Sequence, residues 1–266
     1  MTDDDHDDLS LLRRIEAKTV RASADGRACE TIGPFVAAAH LTNDMIWLSY
    51  AVPLSAHRGH ADVAAAVPPL RAWFKQHNRR LRFEILEPLW PELADQLLAC
   101  GVELQGRMPL MLCAPDDLRP VDAPAGVSIT PLEASVVDDD VLRESMALAR
   151  RAFGEGRCDP SPQEVAEHRD ALAKGRYRTS AAWLDGTIVA VGTMSVGNDE
   201  LVGIATAPEF RRRGIAAAVS HHLLADHFRR GGRLAWLSAG DDPARRVYAR
   251  IGFRLVGDQV NLMDRA

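Results

Sequence analysis

Short apolar runs alternate with longer amphipathic stretches along the chain, and from residue 127 onward the alternation resolves into a series of elements. A strand over residues 127–132 precedes a helix over 139–153, and a second helix opens after Ser161-Pro162, a cap and first-turn pair, and runs to Lys174. Strands at 178–184 and 187–196 are joined by Asp185-Gly186, a dipeptide suited to tight hairpin turns. Asn198-Asp199 turns the chain into a strand at 200–206, in which Val202 is expected to face the core. A helix then reaches Arg230 and stops at Gly231-Gly232, and an apolar strand covers 233–238. A helix around Tyr248 and terminal strands at 253–256 and 259–263 complete the order.

The first half repeats part of the second. Cys100-Gly101-Val102-Glu103-Leu104 aligns with Ile251-Gly252-Phe253-Arg254-Leu255 at an offset of 151. Without gaps, that offset sets 82–86 under the strand at 233–237 and a strand at 47–54 under 198–205. Three elements in one register are what a duplicated module leaves behind. The stretch 119–126 holds two prolines and a glycine and reads as a linker. The expected organisation is a shortened copy over 1–118, the linker, and a complete copy over 127–266.

The most specific chemistry lies where the strand at 200–206 feeds the next helix through Arg211-Arg212-Arg213-Gly214. Unpaired backbone N–H groups and the helix dipole converge there on one spot suited to an anion such as a pyrophosphate. Arg211-x-x-Gly214-x-Ala216 resembles the acyl-CoA loop of the GNAT acetyltransferases, written Arg/Gln-x-x-Gly-x-Gly/Ala. Residues 243–253, with Tyr248 and ending Gly252-Phe253, resemble that family's later helix, and the two segments stand in the family's order.

The resemblance implies an α/β (α+β) GNAT fold, a mixed, mostly antiparallel sheet flanked by helices, in two tandem copies. It implies acetyl-CoA as acyl donor, its diphosphate held by main-chain amides of Arg211, Arg212, Arg213, Gly214, Ile215, Ala216 and Ala217. Ile204, Ala205 and Thr206 would pair through their backbone with the pantetheine arm and acyl carbonyl, and Tyr248 would be the general acid. Asp241 stands where many members carry an asparagine that bonds the cofactor arm; an ionised aspartate only accepts, and Asp241 or Asp242 serves equally as a helix cap before Pro243. The base is not assigned, with Asp199, Glu200 and His168 as candidates. The acceptor cleft should involve residues 143–176, where Glu144, Glu155, Asp159, Glu164, Glu167 and Asp170 could receive a cationic amine. In the first copy Val63 replaces Gly214, Leu97 replaces Tyr248 and Pro53 replaces Ile204, so that copy is expected to be catalytically dead.

Composition changes this picture little. With 47% hydrophobic and 26% charged residues and a net charge of -5, the chain reads as a globular enzyme with no nucleic-acid partner. No apolar run approaches a membrane span, and the acidic, frayed opening at residues 1–8 is no signal peptide, so the cytoplasm is the expected location. Cys29, Cys100, Cys113 and Cys158 lack metal-site spacing, and no metal is expected. The expected activity is transfer of an acetyl group to a primary amine by direct attack, the acceptor being a small molecule or a protein; a homodimer stays open. The alternative is a non-catalytic acyl-CoA sensor or assembly module.

Overall fold

In the computed structural model, which describes residues 3–24, 26–54, 62–154 and 158–265, the chain forms two units. The first comprises Met1–Leu110, Ser238–Asp241 and Leu255–Ala266, and the second Met111–Leu237 and Asp242–Arg254.

The first unit contains α1 (Asp3–Ala22), β1 (Arg27–Ile32), β2 (Phe35–His40), β3 (Tyr50–Pro53), α2 (Val63–Gln76), β4 (Arg82–Leu86) and α3 (Leu93–Ala99). Most of β5 (Glu103–Cys113) also belongs to it. The second unit contains β6 (Val127–Pro131), α4 (Asp139–Phe153), α5 (Pro162–Ala173), β7 (Tyr177–Leu184), β8 (Thr187–Ser195), β9 (Glu200–Thr206), α6 (Ile215–Arg229), β10 (Ala235–Ser238) up to Leu237, and α7 (Asp242–Arg250). The last strand, β11 (Arg254–Met263), returns from Leu255 onward to the first unit, whose sheet order is β1-β2-β3-β4-β11-β5. Its register with β4 runs antiparallel from Gln259↔Leu86 to Met263↔Arg82. The second unit's sheet order is β10-β9-β8-β7-β6.

The offset of 151 holds for elements as well as letters. Shifted by it, β1, β2 and β3 fall on β7, β8 and β9, α2 on α6, β4 on β10, α3 on α7 and β5 on β11. The long α1 overlaps α5, and among the described residues β6 and α4 have no counterpart in the first unit, which is how that copy is shortened. The structure thus carries the mixed, mostly antiparallel sheet flanked by helices, twice over.

Several boundaries differ from the sequence reading. Residues 46–48 form a 3-10 turn, so the strand expected at 47–54 is only β3. The two terminal strands are one, because a glycine inside a strand pattern, here Gly257, marks a bend rather than an end. The strand expected at 233–238 starts two residues later, at Ala235. The acidic opening, expected to fray, is helical from Asp3; acidic residues suit a helix N-terminus.

Alternation sorts the second unit's side chains onto two faces. Ala181, Val191 and Ala205 pack with Leu142, Leu148 and Val165 under α4 and α5, and α6 covers the other face. At the rim of this core, Ser161 caps α5 in a capping box, and Glu164 reaches Arg150 Nη2 at 2.7 Å, with side-chain exposures of 3% and 4%. Burial pushes the Glu164 carboxyl up, but the Arg150 guanidinium and the Ser161 N–H and hydroxyl outweigh it and hold the group at about 2, below its ordinary 4.5. A depressed folded-state value means stability that is present above the unfolded pKa and lost as pH falls through 4.5 toward 2. Arg150→Ala strands a buried carboxylate and should destabilise the second unit by about 3 kcal/mol at neutral pH. Denaturant unfolding of the variant and the parent checks this, and the difference should shrink below pH 4.5 as Glu164 is protonated in the unfolded chain.

Candidate active site

The site is built at the end of β9. On one side β9 pairs antiparallel with β8, Ser195↔Glu200 through Thr193↔Val202, then Val191↔Ala205 and Ala190↔Thr206. Two steps on β8 therefore face three on β9, and the extra residue is accommodated at Gly203, whose φ of 63° lies in the left-handed region. On its other side β9 is registered with parallel β10 at Trp236↔Glu200, where Trp236 N–H also donates to Asp199 C=O at 3.0 Å. From Val202 to Thr206 the strand has no registered β10 partner among the described residues, so β10 does not satisfy its backbone polar groups on that edge.

The bulge determines what each residue of this stretch does. Ile204 points under α6: a Cβ on Gly192 would lie 2.3 Å from Ile204 Cδ1 and 3.0 Å from both Val219 and Leu223, so a side chain at 192 would force the end of Ile204 to shift. Leu201 and Ala205 are buried at 4% and 3%, whereas Val202, expected in the core, is only half-buried, next to the bulge. Among the described residues, Thr206 Oγ1 is buried and has no hydrogen-bond partner.

Beyond Thr206 a 3-10 turn at Pro208–Phe210 leads into the arginines, with Arg212 at φ 61° and Gly214 at φ 83°. Left-handed residues in such a turn point successive N–H groups into one concavity. Gly214 is the N-cap of α6 and supplies no side-chain cap, and the first helical bond runs from Ala218 N–H to Gly214 C=O at 3.1 Å. The N–H groups of Ile215, Ala216 and Ala217 therefore face outward at the positive end of a 15-residue helix.

The arginine side chains divide. Arg211 Nε donates to Thr206 C=O at 3.1 Å and its Nη2 to Ala152 C=O at 3.4 Å, tying the loop to the strand it left and to α4. Arg213 donates to Glu209 C=O at 3.0 Å and lies over the Phe210 ring. Arg212 is exposed and, among the described residues, makes no such internal contact.

Tyr248 lies on α7, which packs against α6, with its ring edge-on to Phe253 at 5.8 Å. Tyr248 C=O accepts the N–H groups of both Ile251 and Phe253 at 3.1 Å, so the turn after the helix is fastened to this residue. Asp241 is exposed immediately before α7 and belongs to the first unit. Asp242, the first residue of α7, bonds Arg245 at 2.8 Å, which holds its carboxyl below the usual range.

The base candidates and acidic residues are committed elsewhere. Asn198 Nδ2 donates to Glu200, and Asp199, at φ 59°, sits 3.8 Å from His227 Nε2 at the paired end of β9. His168 is pushed by burial down to about 4 and is neutral at pH 7. Among the acids expected to receive a cation, Glu164 pairs with Arg150, Glu144 with Arg151, and Asp170 with Lys174 and Arg176. Asp159 is exposed, Glu167 accepts from Gln163, and Glu155 lies outside the described residues. The acidic segment is thus largely charge-compensated. Among the described residues no cluster of His, Cys, Asp or Glu could hold a metal ion, and no helix is long and apolar enough to cross a membrane.

Sequence reasoning located the loop but missed Gly203 and Gly192. A glycine inside an apolar strand pattern was the available signal for the bulge. Nothing local marks Gly192, whose constraint comes from Ile204 across the strand pair and from α6.

Comparison with known proteins agrees with this geometry. The Acetyltransferase (GNAT) family model matches residues 143–253. Among solved structures, a GCN5-related N-acetyltransferase from Kribbella flavida is 27% identical, with a TM-score of 0.75 over 96% of this chain and 95% of that one. A GCN5-related N-acetyltransferase from Sphaerobacter thermophilus (16% identical, TM-score 0.62, covering 87% and 76%) shares the fold. So does a tandem GNAT protein from the clavulanic acid biosynthesis pathway (17% identical, TM-score 0.62, covering 94% and 86%). No curated protein matches the chain. The open strand edge, the glycine loop at the helix N-terminus and the family match together make this chain an acyltransferase carrying a GNAT acetyltransferase domain over residues 143–253, within a tandem GNAT fold.

Proposed function

We propose that the second copy, residues 127–266, transfers an acetyl group from acetyl-CoA to a primary amine by direct attack, and that the first copy, residues 1–118, does not catalyse. The observation that carries this reading is the continuity of an unpartnered β9 edge with a loop of outward N–H groups at the start of α6.

In this reading the amides of Arg211 to Ala217 grip the diphosphate, and Arg212 adds a side-chain cation. The backbone of Ile204, Ala205 and Thr206 pairs with the pantetheine arm as a neighbouring strand would. An N–H of this stretch aimed at the acyl oxygen stabilises the charge that develops there, a contribution of about 3 kcal/mol for one such donor in other enzymes. Tyr248 donates its phenolic proton toward the departing sulfur. With Asp199, Glu200 and the acidic segment held in internal pairs, the acceptor is best delivered as a neutral amine, small molecule or protein-borne, and bulk water takes the proton.

The first copy supports the division of labour. Its helix α2 is capped by Asp62, whose carboxylate accepts Ala65 N–H at 2.9 Å, so an anion of its own already occupies the place the diphosphate would take. Leu97, at Tyr248's position, is fully buried and has no proton to give.

The test is calorimetry followed by turnover. Acetyl-CoA should bind at one site per chain rather than two, and amine-dependent release of free thiol should follow with a panel of primary amines. Two equivalent sites would refute the silent first copy. Tight binding with no amine-dependent release would favour the acyl-CoA sensor instead.

A further inference from the structure

A row of polar side chains crosses the sheet of the second unit beneath α5, and the proposed chemistry above makes no use of it. Thr179 on β7 is 5% exposed, and its Oγ1 lies 3.3 Å from His168 Nε2 and 2.9 Å from Thr193 Oγ1. Thr179 stands opposite Thr193 in the β7–β8 register, and Thr193 stands opposite Val202 in the β8–β9 register. The row therefore leads from a helix across two strands to the residue before the Gly203 bulge, where β9 begins to lack a β10 partner. Thr193 is half-buried, so the end nearest the bulge is the open one.

Such a chain has a direction. Each threonine hydroxyl has one proton, and a neutral imidazole has one N–H and one lone pair. If Nε2 presents the lone pair, Thr179 donates to it, Thr193 donates to Thr179, and the oxygen of Thr193 is left with lone pairs facing outward. Burial keeps the imidazole neutral, and Tyr177 (ring centroid 6.1 Å away) and Thr179 are the groups that β7 brings near it. From α4, Arg150 is taken by Glu164 of His168's own helix, and that helix's Arg169 and Asp170 bond Asp139 and Arg176.

We infer that Thr193 binds the attacking amine by accepting one of its N–H bonds, with Thr179 and His168 as positioning residues that hold Thr193 in the accepting sense. An amine attacks through its lone pair, so a fixed acceptor for its N–H, one strand away from the open edge, turns that lone pair toward the acyl carbon. No proton moves along the chain in this role. The inference rests on the transfer reading and adds the residue that orients the acceptor.

The experiment uses the full chain with n-butylamine and acetyl-CoA, following free thiol. Thr193→Val should lower kcat/KM for the amine about tenfold to a hundredfold and leave KM for acetyl-CoA unchanged, the loss expected for a removed orienting hydrogen bond. Thr193→Ser should recover most of it, and Thr179→Val should lie between the parent and Thr193→Val. A second readout needs no turnover: the 15N shifts of the His168 ring in the unliganded protein should show Nε2 unprotonated and Nδ1 carrying the proton. A protonated Nε2, or an amine kcat/KM unchanged in Thr193→Val, overturns the inference while leaving acetyl transfer standing. A parent protein that binds acetyl-CoA but releases no thiol with n-butylamine overturns the inference together with the reading beneath it.

Discussion

Gly214→Val should weaken binding of acetyl-CoA and of free coenzyme A by about 10² to 10³-fold while leaving the protein folded. Gly214 has φ 83° as the N-cap of α6, a conformation that costs an L-residue roughly 1–2 kcal/mol and a β-branched one more. The strain is only part of the loss. The loop can relieve it by rotating residue 214, which turns the N–H groups of Ile215 and Ala216 away from their common focus, and each charge-assisted bond lost from a diphosphate is worth about 1.5–3 kcal/mol. Space is not the issue, since the nearest atom to an added Cβ is Pro124 Cγ at 3.9 Å. Gly214→Ala therefore isolates the conformational part and should lose only about tenfold. Calorimetric titration of both variants, with thermal unfolding as the control for folding, checks the pair. Unchanged affinity in the valine variant would show that the α6 N-terminus does not hold the donor.

The features legible in the sequence are those fixed by neighbours along the chain. Asp185 at φ 49° and Gly186 at φ 77° make the hairpin turn that the dipeptide announces, and Ser161 caps α5 as its spacing with Glu164 requires. The boundaries of α4 and β9 also follow from local signals: an acidic first turn and Gly154 end-cap for the helix, a turn at Asn198-Asp199 and Pro208 for the strand. The loop at Gly214 belongs to the same class, because its anion-binding character is a property of a few consecutive residues. What escaped depends on partners distant in sequence. The acidic residues of 143–176 promised a cation site, yet the buried pairing of Glu164 with Arg150 is set by the packing of α5 on α4. The same holds for the row from His168 to Thr193, which exists only in the β7–β8 register. The return of β11 to the first unit has no local mark, since an amphipathic strand specifies a face to bury and not which sheet will bury it.

Tyr248→Phe should reduce kcat by about 10² to 10³-fold with KM for acetyl-CoA within about twofold of the parent, the range of a removed general acid. The substitution keeps the ring and the backbone of residue 248. The edge-on contact with Phe253 at 5.8 Å and the two N–H bonds to its carbonyl survive in phenylalanine, so α7 should keep its seat on α6. Only the hydroxyl leaves. A phenol near pKa 10 facing a thiol near 8.5 does not transfer its proton downhill; it stabilises charge as it gathers on sulfur, and that interaction exists in the transition state but not in the bound thioester. The loss must therefore fall on kcat and on both kcat/KM values together, leaving ground-state binding alone. Steady-state kinetics with varied acetyl-CoA and varied amine, beside calorimetric affinities for acetyl-CoA, separates this from a packing role. Full turnover in Tyr248→Phe would assign the ring a structural task only and would require another donor for the sulfur, while a rise in the Kd for acetyl-CoA of the same size as the fall in kcat/KM would mean that the hydroxyl holds the donor rather than assisting its departure.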